Sequence, residues 1–454
     1  MKKDFTNGNI AISMLLFSLP IVAGELLQNL YNSFDALIVG NCVGYEALAA
    51  VNVCGNIATL LVNFFNGMSV GANVVVSKAY GSKDVQRLKT TVKVTFSFST
   101  VLGIILSLAG IIFSNPLLKI AGVQPEYYLE AITYIRVYLA GLMFTVIYNN
   151  GAGILRAMGD SQTPFIILCV CCGTNIALDI LFVDKLAKGI AGASFATIIA
   201  QGISAIAVYV AISNRICTSG IDFKCLNQQS KSTILAVSDI GTAAGIQGSL
   251  VALSNLFLMR YINMFDVHSV AGIGIAQKID RFVILPSKAF GITMTTFVGQ
   301  NLGANQQGRI KAGKNKCIFL AMLITMSLSM LIYFSAATLV RCFNNSPEVI
   351  EVGISMVKRI APFYWILPIR EVYIGLMRGY GNSRVPMILV LIGNIAIRQG
   401  YLAVSMAQKH ILGNIYNCYP IAWICSSVLI IAYYIMIKNK LLGDESFLHG
   451  EDIT

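Results

Sequence analysis

An all-α polytopic membrane protein, with twelve transmembrane helices in two pseudo-symmetric six-helix bundles, is predicted by three observations. Of 454 residues, 56% are hydrophobic and only 12% are charged, about half the charged share of a soluble domain. Apolar stretches of about 20 residues, enough to cross a bilayer, recur along the whole chain. The second half also repeats the first at one constant shift in numbering.

The first span is read over 10–39, directly after Met1-Lys2-Lys3. It is too long for a signal-peptide core, and no small-residue cleavage pattern follows it. Spans 2 to 6 follow at 47–76, 94–115, 128–150, 164–183 and 189–213. The longest polar stretch, 214–233, separates them from spans 7 to 12 at 234–259, 269–298, 317–340, 350–377, 385–407 and 411–437.

The repeat is visible in two loops. Gly153, Arg156, Gly159, Ser161 and Pro164 in GILRAMGDSQTP match Gly375, Arg378, Gly381, Ser383 and Pro386 in GLMRGYGNSRVP, a shift of 222. The same shift relates Gly81, Arg87 and Lys89 to Gly303, Arg309 and Lys311, Ala49 to Ala271, and Arg136 to Lys358. Matches at one offset mark a duplication. Six spans per copy is an even number, so both copies enter the membrane in the same orientation. The expected organisation is an N-terminal lobe over 1–213, a cytoplasmic linker over 214–233, a C-terminal lobe over 234–440 and a cytoplasmic tail over 441–454. Duplicated bundles of this kind are a common transporter plan.

The net charge of +12 comes from 33 Lys and Arg against 21 Asp and Glu. Nineteen of the basic residues fall in the tails and even-numbered connections and six in the odd-numbered ones. Such a bias marks the cytoplasmic side, so both termini are expected there, and the charge does not point to nucleic acid. The 11 cysteines are odd in number and scattered, which argues against a disulfide framework. Cys217 and Cys225 share the polar stretch, but without a second pair or a nearby His they make no zinc site. His268, His410 and His449 are dispersed, and there is no Walker loop or nucleophile elbow. Neither an ATP-driven pump nor a hydrolase is supported, and no cofactor is expected.

Polar groups inside apolar spans are costly and invite a functional reading. In span 1, Gln28, Tyr31, Asn32 and Asp35 recur at i, i+3, i+4 and i+7, on one helical face. In span 5, Asn175 and Asp179 are i and i+4. The two acids lie at similar depth, where a carboxylate pair suits either a shared proton or a sodium ion with amide and hydroxyl oxygens beside it. At the 222 shift Asp35 becomes Phe257 and Asp179 becomes Tyr401, so the acidic site belongs to the first bundle. Glu25 shares span 1 with Pro20, and its copy is Gln247. Arg370, Glu371 and Arg398 lie within spans 10 and 11, where pairing across helices and a second cation or substrate site are equally open. Lys278, Asp280, Arg281 and Lys288 in span 8 are expected to form an internal network.

The segment QNLYNSFDALIVGNCVGYEALAAV, the two repeated loops, and NIALDI followed by GIAGASFATIIAQ resemble the MATE (multidrug and toxic compound extrusion) transporters of the MOP flippase superfamily over essentially the whole chain. The first-span motif is most similar to the bacterial DinF-like and MepA-like branch. The resemblance implies a secondary antiporter in the bacterial cytoplasmic membrane, monomeric, exporting cationic or amphipathic drugs and metabolites in exchange for protons or sodium. It assigns Asp35, Asn175, Asp179 and Thr197 to cation coupling, with Gln28, Tyr31 and Tyr134 in the supporting network and Tyr138 available in place of Tyr134. Pro20 matches a first-span proline at which bending has been proposed. Two features depart from the family pattern. Ile180 follows Asp179 where Pro often stands, and a second-lobe site would be built on Gln247 and Glu371, without the span-7 acid of NorM-like members. The competing expectation is a flippase for lipid-linked precursors, whose cleft would be lined with several Lys or Arg.

Overall fold

The computed structural model describes residues 4–120, 123–216 and 228–443, which are helical with no strand among them. The pair Cys217 and Cys225, most of the expected linker, the expected C-terminal tail and the first three residues lie outside the described residues. Sixteen α-helices run in chain order. They are α1 (Ile10–Cys42), α2 (Tyr45–Gly81), α3 (Val85–Ile112), α4 (Ser114–Ile120), α5 (Tyr128–Ala140), α6 (Leu142–Ala157), α7 (Gln162–Asp179), α8 (Gly189–Ile216), α9 (Gln228–Ile262), α10 (Val267–Gly303), α11 (Gln307–Arg341), α12 (Pro347–Ile360), α13 (Ile366–Gly379), α14 (Arg384–Leu391), α15 (Arg398–Gln408) and α16 (Leu412–Gly443). Ten spans are long and apolar enough to cross a membrane, and twelve result when two bent helix pairs each count as one.

Those pairs are the fourth and tenth spans. A 44° bend separates Pro125–Ala140 from Leu142–Ala157, and a 52° bend separates Pro347–Phe363 from Ile366–Gly379. Gly141 sits at the first bend, where an added Cβ would lie 2.5 Å from Ile198. Pro362 lies in the single 3₁₀ turn Ala361–Phe363 at the second. The other helices overrun their apolar limits. α11 starts at Gln307, ten residues before the apolar stretch at 317, because hydropathy marks membrane thickness and not helix length.

The duplication extends to backbone detail. α2 and α10 begin and end at positions related by the 222 shift, as do the starts of α3 and α11, the ends of α6 and α13, and the starts of α7 and α14. Lys83 and Asn305 both adopt positive φ, 59° and 55°, and so do Gly159 and Gly381, 79° and 95°. In both repeated loops an Asx side chain then caps the next helix. Asp160 accepts from the backbone N–H groups of Gln162 and Thr163 at 2.9 Å each, and its copy Asn382 accepts from Val385 at 3.3 Å. The shared motif G-D/N-S-x-x-P is thus turn chemistry: glycine for the left-handed residue, Asx for the cap, proline within the first turn. Asp160 also pairs with Arg215 at the end of α8.

Contacts divide the chain into two compact units. Unit 1 comprises Met1–Asp4 and Pro20–Gly245, and unit 2 comprises Phe5–Leu19 and Ile246–Thr454. The divisions fall at Pro20 inside α1 and after Gly245 inside α9. In unit 1 the first part of α9 lies against α2, where an added Cβ on Gly67 would be 2.1 Å from the Gly245 nitrogen. Such backbone approach is the packing that small residues permit in membrane bundles. α6 crosses α2 equally closely: Gly153 faces the Ser69 carbonyl at 2.6 Å from an added Cβ, and Asn73 donates to the Gly153 carbonyl at 3.3 Å. Unit 2 repeats this with Gly375 against the Gly291 carbonyl at 2.2 Å and Thr295 donating to the Gly375 carbonyl at 3.2 Å. Unit 2 also holds the N-terminal stretch, where Phe5 packs edge-on to Phe17 and Phe297 and Arg309 donates to the carbonyls of Phe5, Asn7 and Gly8 at 2.8 Å each.

Candidate functional site

The acidic site lies inside unit 1, between α1, α5, α7 and α8. Asp179 and Asn175 are fully buried, Thr197 is 5% exposed and Asp35 8% exposed. Asp35 and Asp179 are close enough to act on one another electrostatically. With its amide nitrogen toward the acid, Asn175 donates to Asp179 Oδ2 at 2.9 Å while its oxygen accepts from the Thr197 backbone N–H at 3.3 Å. The spacing of 175 and 179 makes this bond possible, since i and i+4 face the same way on a helix.

The Thr197 hydroxyl donates back to the Ala193 carbonyl at 3.0 Å, a common way for a mid-helix Thr to satisfy its proton. The Tyr31 and Thr197 hydroxyls lie near enough to interact. Tyr134 and Tyr138 stack at 6.3 Å between ring centroids, and both fall within the electrostatic range of Asp35. Tyr134 and Tyr138, left as alternatives by the sequence, are thus neighbours of one another within electrostatic range of Asp35. One oxygen of each acid, Asp35 Oδ1 and Asp179 Oδ1, is buried without a hydrogen-bond partner among the described residues. Buried carboxylate oxygens are costly unless paired or protonated, so this pocket suits a proton or a small cation. The side chain of Asn32 lies outside the described residues.

The helix does not end cleanly after Asp179. Although Ile180 replaces the proline, a π-helical turn occupies Ile180–Lys185, and such turns often mark functional positions within helices. A second occurs at Ile392–Ile397 in unit 2.

Gln28 is placed differently from the other members of the stripe. It lines a cleft together with Pro20, Glu25, Asn66, Asn149 and Arg156. Two helical turns, about 10 Å, separate Gln28 from Asp35 along α1. Sequence reasoning passed over Asn66, Asn149 and Arg156 as site residues. The signal in the sequence is the repeated loop that contains Arg156.

In unit 2 the two candidates are each engaged by an arginine. Arg378 donates to Gln247 Oε1 at 3.1 Å, and Arg370 pairs with Glu371 at 2.9 Å while reaching Ser426 at 3.3 Å. The pairing of Glu371 is thus with its chain neighbour and not across helices. Arg398, 3% exposed, donates instead to the Ser254 hydroxyl at 2.7 Å. Of the four charged residues expected to form an internal network in span 8, Lys278, Arg281 and Lys288 are exposed and Asp280 is buried, hydrogen-bonded by Tyr364. Residues 278, 281 and 288 share one helical face, and Asp280, about 200° from Lys278 around the axis, projects from the other.

Comparison with known proteins bears on the family and the fold. The MatE family profile matches residues 20–181 and 243–398. The probable multidrug resistance protein YpnP of Bacillus subtilis (strain 168) is 27% identical over 405 residues, 89% of this chain and 90% of that one. The multidrug export protein MepA of Staphylococcus aureus (strain MSSA476) is 21% identical over 445 residues, 98% of each. Among solved structures, an outward-facing multidrug resistance MATE family transporter of the MOP superfamily matches with a TM-score of 0.85 at 22% identity, covering 96% of this chain and 98% of that one. The profile spans most of both repeats, and the chain belongs to the MatE family of multidrug efflux transporters, multi-pass membrane proteins that are not enzymes.

Proposed function

We propose that the protein is a secondary antiporter that exports cationic or amphipathic small molecules in exchange for protons or sodium, coupled through Asp35 and Asp179. The observation that carries this reading is the pair of buried carboxylates, each with an oxygen unpartnered among the described residues. Asn175 orients one acid, and the hydroxyls of Thr197 and Tyr31 stand beside the pair. A proton would neutralise one carboxylate. A sodium ion would instead take the carboxylate oxygens together with the amide and hydroxyl oxygens, the hard-ligand set such a cation prefers.

Coupling requires that ion and substrate favour different conformations. The lobes of this alternating-access cycle are the two repeats, 1–213 and 234–440, joined by the 214–233 linker, with Pro20 as the hinge. The positive-charge bias supports cytoplasmic termini in the bacterial cytoplasmic membrane, and the acting form is a monomer. Gln247 and Glu371, both held by arginines, act as structural groups of unit 2. The relatives are named for multidrug resistance and export, and the flippase alternative is set aside.

Proteoliposome efflux tests the reading, with a pH gradient and a sodium gradient imposed separately. One gradient is expected to drive export in the wild-type protein and neither in D35N or D179N. Undiminished gradient-driven export by both variants would overturn it.

A further inference from the structure

At one end of unit 2 the second copy places charge where the first places core. Lys314 near the start of α11, Tyr373 in α13, Tyr380 just after it, and Tyr434 and Lys438 near the end of α16 correspond at the 222 shift to Val92, Gly151, Met158, Ile212 and Ile216. In unit 1, Val92, Met158, Ile212 and Ile216 are buried together in one apolar cluster, and Gly151 is packed so closely that an added Cβ would lie 2.5 Å from Val208. That place is filled by its own side chains.

In unit 2 the same frame carries a cationic and aromatic cluster. The Lys314 ammonium lies over the rings of Tyr373 and Tyr434, 5.6 and 5.0 Å from their centroids, and the two rings pack at 4.9 Å from one another. Aromatic faces attract a cation, so Lys314 is held where α11, α13 and α16 meet. Lys311, one turn earlier on α11, and Lys438 on α16 both act on it electrostatically. Like charges at i and i+3 repel, yet none of the three lysines has a carboxylate within ion-pair distance among the described residues. The Tyr380 hydroxyl, near Tyr434, is buried and also without a partner among the described residues. An anion would relieve the repulsion.

Position selects the kind of anion. Lys311 and Lys314 stand just before the apolar stretch 317–340, and Lys438 just after 411–437, so all three lie at the depth where hydrocarbon gives way to headgroups. From there α11 exposes Phe319, Met326 and Met330 on the face that carries Lys311, and α16 exposes Ile424, Val428 and Ile435 on the face that carries Lys438. A phosphate that carries acyl chains matches both the charge and the apolar faces.

We propose that this end of unit 2 is a binding site for an anionic phospholipid, its headgroup phosphate against Lys311, Lys314 and Lys438 and its acyl chains along the exposed faces of α11 and α16. The lipid would tie together helix ends that in unit 1 are tied by apolar packing. The site shares no residue with the acids of unit 1 and does not depend on the coupling reading.

Native mass spectrometry of the purified, delipidated full-length protein, titrated in turn with dioleoylphosphatidylglycerol and dioleoylphosphatidylcholine, tests the site. The phosphatidylglycerol is expected to bind more tightly by about tenfold, the worth of a charge-assisted contact. K314Q and K438Q should each lower that ratio by about threefold, as for one partly solvated charge. K89Q removes the copy of Lys311 in unit 1, where the cluster is missing, and should leave the ratio unchanged. A wild-type ratio near one overturns the proposal, as does the full ratio in either K314Q or K438Q. K438Q, at an exposed position, decides the matter even should K314Q not fold. A loss in K89Q equal to that in K314Q would reduce the preference to net charge and overturn the site. Soluble glycerol phosphate at the same concentration should not displace the phosphatidylglycerol; displacement would mark a free-phosphate site and overturn the lipid assignment.

Discussion

Asn175 is the residue on which the acidic site turns, because it links α7 to α8 at Thr197 and holds one oxygen of Asp179. Asn175→Leu keeps the volume and removes both bonds, leaving a buried carboxylate with no donor. Its expected outcome is loss of ion-coupled efflux in proteoliposomes with retained folding by size-exclusion profile, whereas Asn175→Gln, which still offers an amide, should recover part of the activity. Full activity in the Leu variant would show that the bond does not orient the acid. The sequence made this group legible, since Asn175 and Asp179 share a face by spacing and Asp35 closes a polar stripe. Spacing could not bring in Tyr138, whose position beside Asp35 depends on how α5 packs against α1, nor separate Gln28 from the stripe it belongs to.

Single helices carry two further predictions. Pro20 lies within α1, where proline removes a backbone donor and costs about 3 kcal/mol relative to an ordinary residue. Pro20→Ala should therefore raise the thermal midpoint in detergent while slowing efflux if the bend is part of the cycle; an unchanged transport rate would count against a hinge. At the junction of α6 and α7, the Asp160 carboxyl is pushed up by burial but held below the ordinary range overall by the Thr163 hydroxyl, the Thr163 N–H and Arg215. Its folded value lies below the unfolded one, so the stabilisation is complete above the unfolded value, near pH 4, and is lost as pH falls through the folded value. Asp160→Asn, which keeps the turn but not the charge, should cost about 2 kcal/mol at neutral pH. Its thermal midpoint should fall less steeply than that of the wild type between about pH 4 and 2.

At the scale of the whole molecule, the duplication predicts matched lesions. Gly153→Ala and Gly375→Ala would each press a methyl group onto a backbone carbonyl, Ser69 in unit 1 and Gly291 in unit 2. Each should destabilise the protein by about 1–3 kcal/mol, measurable as similar drops in thermal midpoint. A large effect in one repeat and none in the other would show that the copies no longer share this packing. By itself the sequence determined the class, the number of spans, the repeat and the acids confined to its first copy. Each of these follows from hydropathy over a fixed bilayer thickness or from residue spacing along one helix, and both are local quantities. Tertiary structure alone decided that the fourth and tenth spans are bent, that Glu371 is taken by its neighbour, that of Lys278, Asp280, Arg281 and Lys288 in span 8 only Asp280 is buried, and that Arg156 and Glu25 face a common cleft. Those outcomes depend on which helix lies against which, and one-dimensional periodicity holds no record of a helix's neighbours.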